Sequence, residues 1–272
     1  MNEMCSFMSL PFFNIMFISN IMLHSPLEQF EVTNLIGLNA PLLGFFTLSL
    51  TNLALYAVIA LFLIISLHVL GNNQIKIIPS KWSIALESSY ASIHGMVREQ
   101  VGSHNESYLP FIYSLFFFIL ISNLIGNTPY SFTVATSVIV SIGLSVTIFL
   151  GVTILGLSIH RISFFKFFIP SGTPLALVPL LVLIEVVSYT ARAFSLGIRL
   201  FANMTAGHTL LKILSTFLSQ MFSSGLFIFV LTLIPFGIFI ALIGLEIAVS
   251  FIQSYVFCIL TCSYIKDAIE LH

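Results

Sequence analysis

Long stretches of this chain carry no formal charge, and their lengths set the predicted elements. No Asp, Glu, Lys or Arg occurs between Val32 and Ile75, and residues 41–67 are the apolar centre of that stretch. About 20 apolar residues cross a bilayer as a helix, so a first spanning helix is predicted near 46–70, closed by Asn72 and Asn73. Residues 80–101 change pattern. Trp82, Leu86, Ile93, Met96, Val97 and Val101 recur at helical spacing with Glu87, His94, Arg98 and Glu99 among them, the signature of an amphipathic helix on a membrane surface. From Ser107 to Ile159 charge is again absent. That length holds a hairpin over 110–158, with helices near 110–126 and 133–158 and a turn at Gly126, Asn127, Thr128 and Pro129. Pro170 to Pro174 form a loop, and residues 174–266 hold two further apolar segments, each too long for one upright crossing.

Composition bears this out. Hydrophobic residues make up 58% of the 272 and charged residues 7%, far below the quarter or so that a water-facing surface uses. The chain reads as a single all-α integral membrane domain over 1–272. A net charge of −1 leaves no basic stripe for nucleic acid. Cys5, Cys258 and Cys262 are too few for a disulfide framework; the last two, one helical turn apart, read as small packing residues. Residues 1–24 are apolar and lack Lys and Arg, which supports neither a secretory signal nor a transit peptide, though a short processed leader stays open. Lys76, Lys81 and Arg98 follow the first span, and Arg161 and Lys166 follow the third. Two crossings separate the groups, so they share one side, which the positive-inside rule makes the matrix or cytoplasm.

The last hundred residues break the apolar pattern with Glu185, Arg192, Arg199, His208, Lys212 and Glu246. A charge at a helix centre costs roughly 2.5–3.5 kcal/mol on insertion scales, so ionisable groups at this depth are functional candidates. On a helical wheel Glu185, Ser188, Arg192, Ser195, Arg199 and Asn203 share an arc of about 80°. His208 falls about 140° from Glu185, towards another surface. A polar seam gluing helices together accommodates Ser and Asn but explains two arginines poorly. A helix from Leu175 to Ile213 would measure about 58 Å against a core of about 30 Å, so it breaks near Gly197 or Gly207 or lies steeply tilted. In the final stretch Glu246 and Gln253 share a face, with Ser250 beside them.

The stretch SLGIRLFANMTAGH, residues 195–208, closely resembles the signature of the ATP synthase subunit a family. Glu185, Ser188, Arg192, Glu246 and Gln253 match it too. SPLEQF at 25–30, NTPYSF at 127–132 and YIKDAIELH at 264–272 resemble its mitochondrial branch, as does the order of His208 and Glu246. The resemblance implies a first span, a surface helix, a hairpin, and two steeply tilted helices along a rotating c-ring. It implies the c-ring, the peripheral stalk, other membrane-sector subunits, the lipid bilayer and protons as partners. It also implies the mitochondrial inner membrane, no cofactor or metal, and no nucleotide chemistry in this chain. Both termini are expected on the intermembrane-space side.

The family's mechanism uses two half-channels that never join. It implies that His208 and Glu246 serve the intermembrane-space channel, with Asp267 near its mouth. Glu185, Ser188, Asn203 and Gln253 then serve the matrix channel. Arg192 joins them, either tuning the exit path or pairing with Glu185 through water. An imidazole exchanges protons near neutral pH, whereas a guanidinium keeps its charge, so Arg199 is expected to separate the channels and attract each ring carboxylate. His68, His94, His104 and His160 read as interfacial anchors. Asn123 and Asn127 read as helix caps with a channel-lining role open, and Phe116, Phe117 and Phe118 as lipid-facing bulk. Two rivals remain from the residues alone: a secondary proton-coupled transporter subunit, and a purely structural subunit of a respiratory complex.

Overall fold

The computed structural model describes residues 29–42, 46–72, 79–128, 131–161, 164, 177–223 and 226–270. The expected leader, the Pro170–Pro174 loop, Lys76 and Lys166 lie outside them. Among the described residues six α-helices follow a short hairpin of strands: β1 (Asn34–Leu42), β2 (Phe46–Thr51), α1 (Asn52–Asn72), α2 (Lys81–Val101), α3 (Leu109–Gly126), α4 (Val138–His160), α5 (Val178–Ser223) and α6 (Leu226–Ile269). Five of them (all but α2) are long and apolar enough to cross a membrane.

The hairpin corrects the first boundary. Residues 46–51 pair antiparallel with 34–42 rather than beginning the helix, because polar groups at Thr51 and Asn52 stop the strand and open α1. The Thr51 hydroxyl accepts from Ala54 N at 3.3 Å, and Asn52 Oδ1 accepts from Thr33 N at 3.3 Å. In α2 the Ser80 hydroxyl accepts from Ser83 N at 3.3 Å, a side-chain N-cap. Gly102, at φ 92°, ends it, a conformation that costs a glycine little. Only the second half of α2 is buried, through Ile93, Met96, Val97 and Val101; Trp82 and Ile84 stay exposed.

α3 is the centre of the bundle, packed against α1, α2 and α6. Half of its apolar window is buried, against 6% for α1, so Phe117 is a core residue rather than lipid-facing bulk. Cys258 and Cys262 are fully buried in the same core. His68 ties α1 to α3: its Nε2 lies 3.1 Å from the Tyr113 hydroxyl.

α5 runs unbroken for 46 residues and α6 for 44, with Pro235 inside. At 1.5 Å per residue these are about 69 and 66 Å long, so neither can stand upright in a core of about 30 Å. A break near Gly197 or Gly207 and an unbroken tilted helix were the two expected alternatives; α5 shows no break, and the glycines serve close packing. A Cβ at Gly197 would lie 2.5 Å from Ser145 Oγ and 2.9 Å from Ser141 O on α4; small residues let membrane helices approach this closely.

The chain enters α1 and leaves α6 at opposite ends of the bundle. Tyr56, in the first turns of α1, lies with its ring centred 6.2 Å from that of Phe132 in the α3–α4 loop, the two tilted by 47°. At the far end of α4, His160 Nε2 lies 2.9 Å from Ile269 O. Among the described residues five helices are long and apolar enough to span a membrane; the termini themselves, expected on one side, lie outside those residues.

Candidate functional site

α5 and α6 pack antiparallel, and three polar pairs bridge their seam. Arg192 Nη1 lies 3.3 Å from Asp267 Oδ2, Asn203 Nδ2 donates to Gln253 Oε1 at 3.1 Å, and His208 Nδ1 lies 3.0 Å from Glu246 Oε1. Positions rise along α5 as they fall along α6. Arg192 and His208 are 16 residues apart, about 24 Å along the helix, and Arg199 falls between them.

The α5 face that makes this possible is set by small and aliphatic residues. Ala193, Leu196, Gly197, Leu200 and Met204 are buried at three- and four-residue intervals, a helical stripe turned towards α4. The polar stripe flanks it. Ser195, Arg199 and Asn203 are exposed, and Glu185, Ser188 and Arg192 half-buried. Arg199 makes no hydrogen bond or ion pair among the described residues, and neither do Glu185 and Ser188. His208, on the other flank, still reaches α6.

The pair at His208 is closed off. The two side chains are 12% and 8% exposed, so water does not screen them as it would a surface pair. Glu246 Oε1 is fully buried and has His208 Nδ1 as its close polar neighbour, off the line of a good hydrogen bond. Gly207 makes room for the carboxyl, since a Cβ there would come within 2.8 Å of Oε1. Nε2 of His208 lies 3.0 Å from Thr133 Oγ1, and the ring of Phe30 is centred 6.3 Å away. Ser250 Oγ donates to Glu246 O at 2.9 Å and accepts from Asn127 Nδ2 at 3.1 Å. An open cavity of about 310 Å³ runs from Asn203 past Gly207 to Glu246, walled by leucines of both helices. Lys212 sits half-buried one turn beyond His208.

The pair at Arg192 is more open, at 41% and 31% exposed. The Tyr264 hydroxyl donates to Arg192 O at 3.4 Å. Two expectations change here. Asp267 does not join His208 and Glu246; it lies at the opposite end of the seam, because the helices are antiparallel and Asp267 is 21 residues beyond Glu246. Arg192 is engaged by Asp267 rather than by Glu185.

Asn123 lies inside α3, fully buried with both amide atoms unpaired, so it is not a cap; Asn127 follows the helix end and binds Ser250. Sequence reasoning missed Thr133. Nothing in its local pattern marks it, and its partner is 75 residues away. His208 and Glu246 were grouped beforehand only by the family resemblance, as were Asn203 and Gln253.

Residues 53–266 match the family model described as ATP synthase A chain. The chain belongs to that family. It is 68% identical over 251 residues to "ATP synthase subunit a" of Mycosarcoma maydis, covering 92% of this chain and 99% of that protein. It is 51% identical over 249 residues to the protein of the same name from Emericella nidulans, 91% and 97% covered. For that of Kluyveromyces lactis the identity is 48% over 254 residues, 93% and 99% covered. The family match sets aside the two rival readings.

Proposed function

We propose that this chain is the proton-translocating subunit a of a mitochondrial F-type ATP synthase, carrying two offset half-channels against a rotating c-ring. One observation carries the reading. Arg199, a permanently charged side chain, is exposed and without an ion pair on a long apolar helix, between two polar pairs about 24 Å apart. An unmatched charge at membrane depth is costly, and a passing carboxylate on a neighbouring subunit offsets that cost. Lysine could lose its proton when desolvated and would be a poorer barrier.

His208 and Glu246 form the proton path on the side of the α3–α4 loop, with the cavity at Glu246 as its inner end. That side is the intermembrane space, since the loop carries no cation. Arg192 and Asp267 belong with Glu185 and Ser188 to the matrix path, because Ile269 lies beside His160 and Arg161, at the cationic end. Asn203 and Gln253 line the seam between. The c-ring, the peripheral stalk and the remaining membrane-sector subunits are the partners, and the N-terminus faces the intermembrane space.

The test uses the assembled complex in inner-membrane vesicles. Arg199→Ala abolishes ATP synthesis and ATP-driven proton pumping while the abundance of the complex holds. Coupled synthesis at the wild-type rate in that variant would overturn the proposal.

A further inference from the structure

We infer that Thr133 is a positioning residue for His208, holding the imidazole so that Nδ1 faces Glu246 while accommodating either tautomer at Nε2. The inference rests on the proton path proposed above and adds a residue from outside the α5–α6 seam.

The geometry is that of a clamp. One ring nitrogen lies 3.0 Å from Glu246 Oε1 and the other 3.0 Å from Thr133 Oγ1. Nothing else polar is needed to fix the ring. A neutral imidazole has one donor and one acceptor nitrogen, and a hydroxyl can serve either, since it both donates and accepts. When the ring takes at Nε2 a proton carried in along the intermembrane-space path, and releases the one on Nδ1 to the Glu246 carboxylate, its charge rises by one and returns to zero while the carboxylate becomes a neutral carboxylic acid. The ring is then in the other tautomer. Before the step Thr133 donates to bare Nε2; after it, Thr133 accepts from Nε2–H. A partner that could only donate would favour one tautomer and oppose the passage.

The surrounding loop is built to hold that hydroxyl in place. Thr133 is buried, and its carbonyl accepts from Thr136 Oγ1 at 2.6 Å and Thr136 N at 3.2 Å. Ser131 Oγ donates to Ile125 O at 2.6 Å, pinning the loop to the end of α3. Any Cβ at position 126 would overlap the Thr133 side chain, so Gly126 leaves the space it fills. Among the described residues Glu246 of α6 faces the ring, Lys212 lies one turn along α5, and Glu31 adjoins Phe30.

The experiment measures proton flux per assembled complex in inner-membrane vesicles. Thr133→Val, which keeps the shape and removes the hydroxyl, lowers flux about ten-fold, the scale of one lost buried hydrogen bond. Thr133→Ala, which adds no bulk, gives the same loss, and Thr133→Ser restores near wild-type flux. In a His208→Ala background Thr133→Val costs nothing further, because the residue acts through the ring. Wild-type flux in the Val and Ala variants, an equal loss in the Ser variant, or additive losses with His208→Ala would each overturn the inference. Wild-type flux in His208→Ala alone sinks the proton path itself. An impaired His208→Ala beside a silent Thr133→Val sinks only the role of Thr133.

Discussion

The pairs His208–Glu246 and Arg192–Asp267 join the same two helices, yet one is sealed and the other open. His208 and Glu246 sit behind Gly207, Thr133 and the aliphatic face of α5, with little solvent contact. Arg192 and Asp267 are each about a third or more exposed and lean on little beyond Tyr264. An exposed ion pair contributes about 0–1 kcal/mol, whereas a contact shut away from water is little screened. The sealed pair is held to one geometry, and under the function proposed above it is the pair that passes protons. The open pair can exchange with water and tune its surroundings. Arg199, unpaired between them, is the group that both halves have in common.

The largest expected effect removes what separates the two regions: Arg199→Ala ends ATP synthesis with the complex still present, read as coupled synthesis in vesicles. Next comes the sealed pair. Glu246→Gln lowers proton flux about a hundred-fold, the scale of a lost proton-transfer group, at unchanged complex abundance. A wild-type flux at matched abundance counts against the relay. Two glycines of α5 divide structure from transport. Gly197→Ala drives a methyl into the α4 backbone at Ser141 and lowers complex abundance, at a cost of about 1–3 kcal/mol. Gly207→Ala crowds a movable carboxyl, so abundance holds and flux falls; the reverse pattern would mean that the two close approaches have been misread. The smallest effect belongs to the open pair. Asp267→Asn changes flux within about five-fold, the equivalent of about 1 kcal/mol, and the change shrinks at high salt, where exposed charges are screened. A loss as deep as that of Glu246→Gln would show that the two pairs are not so different.

The helix pattern was largely legible because lipid exposure demands long uncharged runs. The observed bounds are Lys81–Val101 where 80–101 was expected, and Val138–His160 where 133–158 was expected, the latter starting after a separate turn at Val134–Thr136. Misses occurred where neighbours decide. Phe117 is apolar like Phe116 and Phe118, and only the crowding of α3 by α1, α2 and α6 separates core from periphery. A break near Gly197 or Gly207 and a steep tilt both stayed open from the sequence; each glycine is a place where another chain segment comes close.

What the sequence determined by itself is the inventory: five long apolar segments, a surface helix, and a set of ionisable residues where none should be tolerated without purpose. Helical periodicity also put Arg192, Arg199 and Asn203 on one stripe, since that depends only on the turn of the helix. The tertiary structure decided the partners. Asp267 falls to Arg192 and Glu246 to His208 because α5 and α6 run antiparallel, and a one-dimensional spacing carries no direction between helices. Thr133 reaches His208 only because the α3–α4 loop folds over the seam, a contact set by packing at a separation of 75 residues.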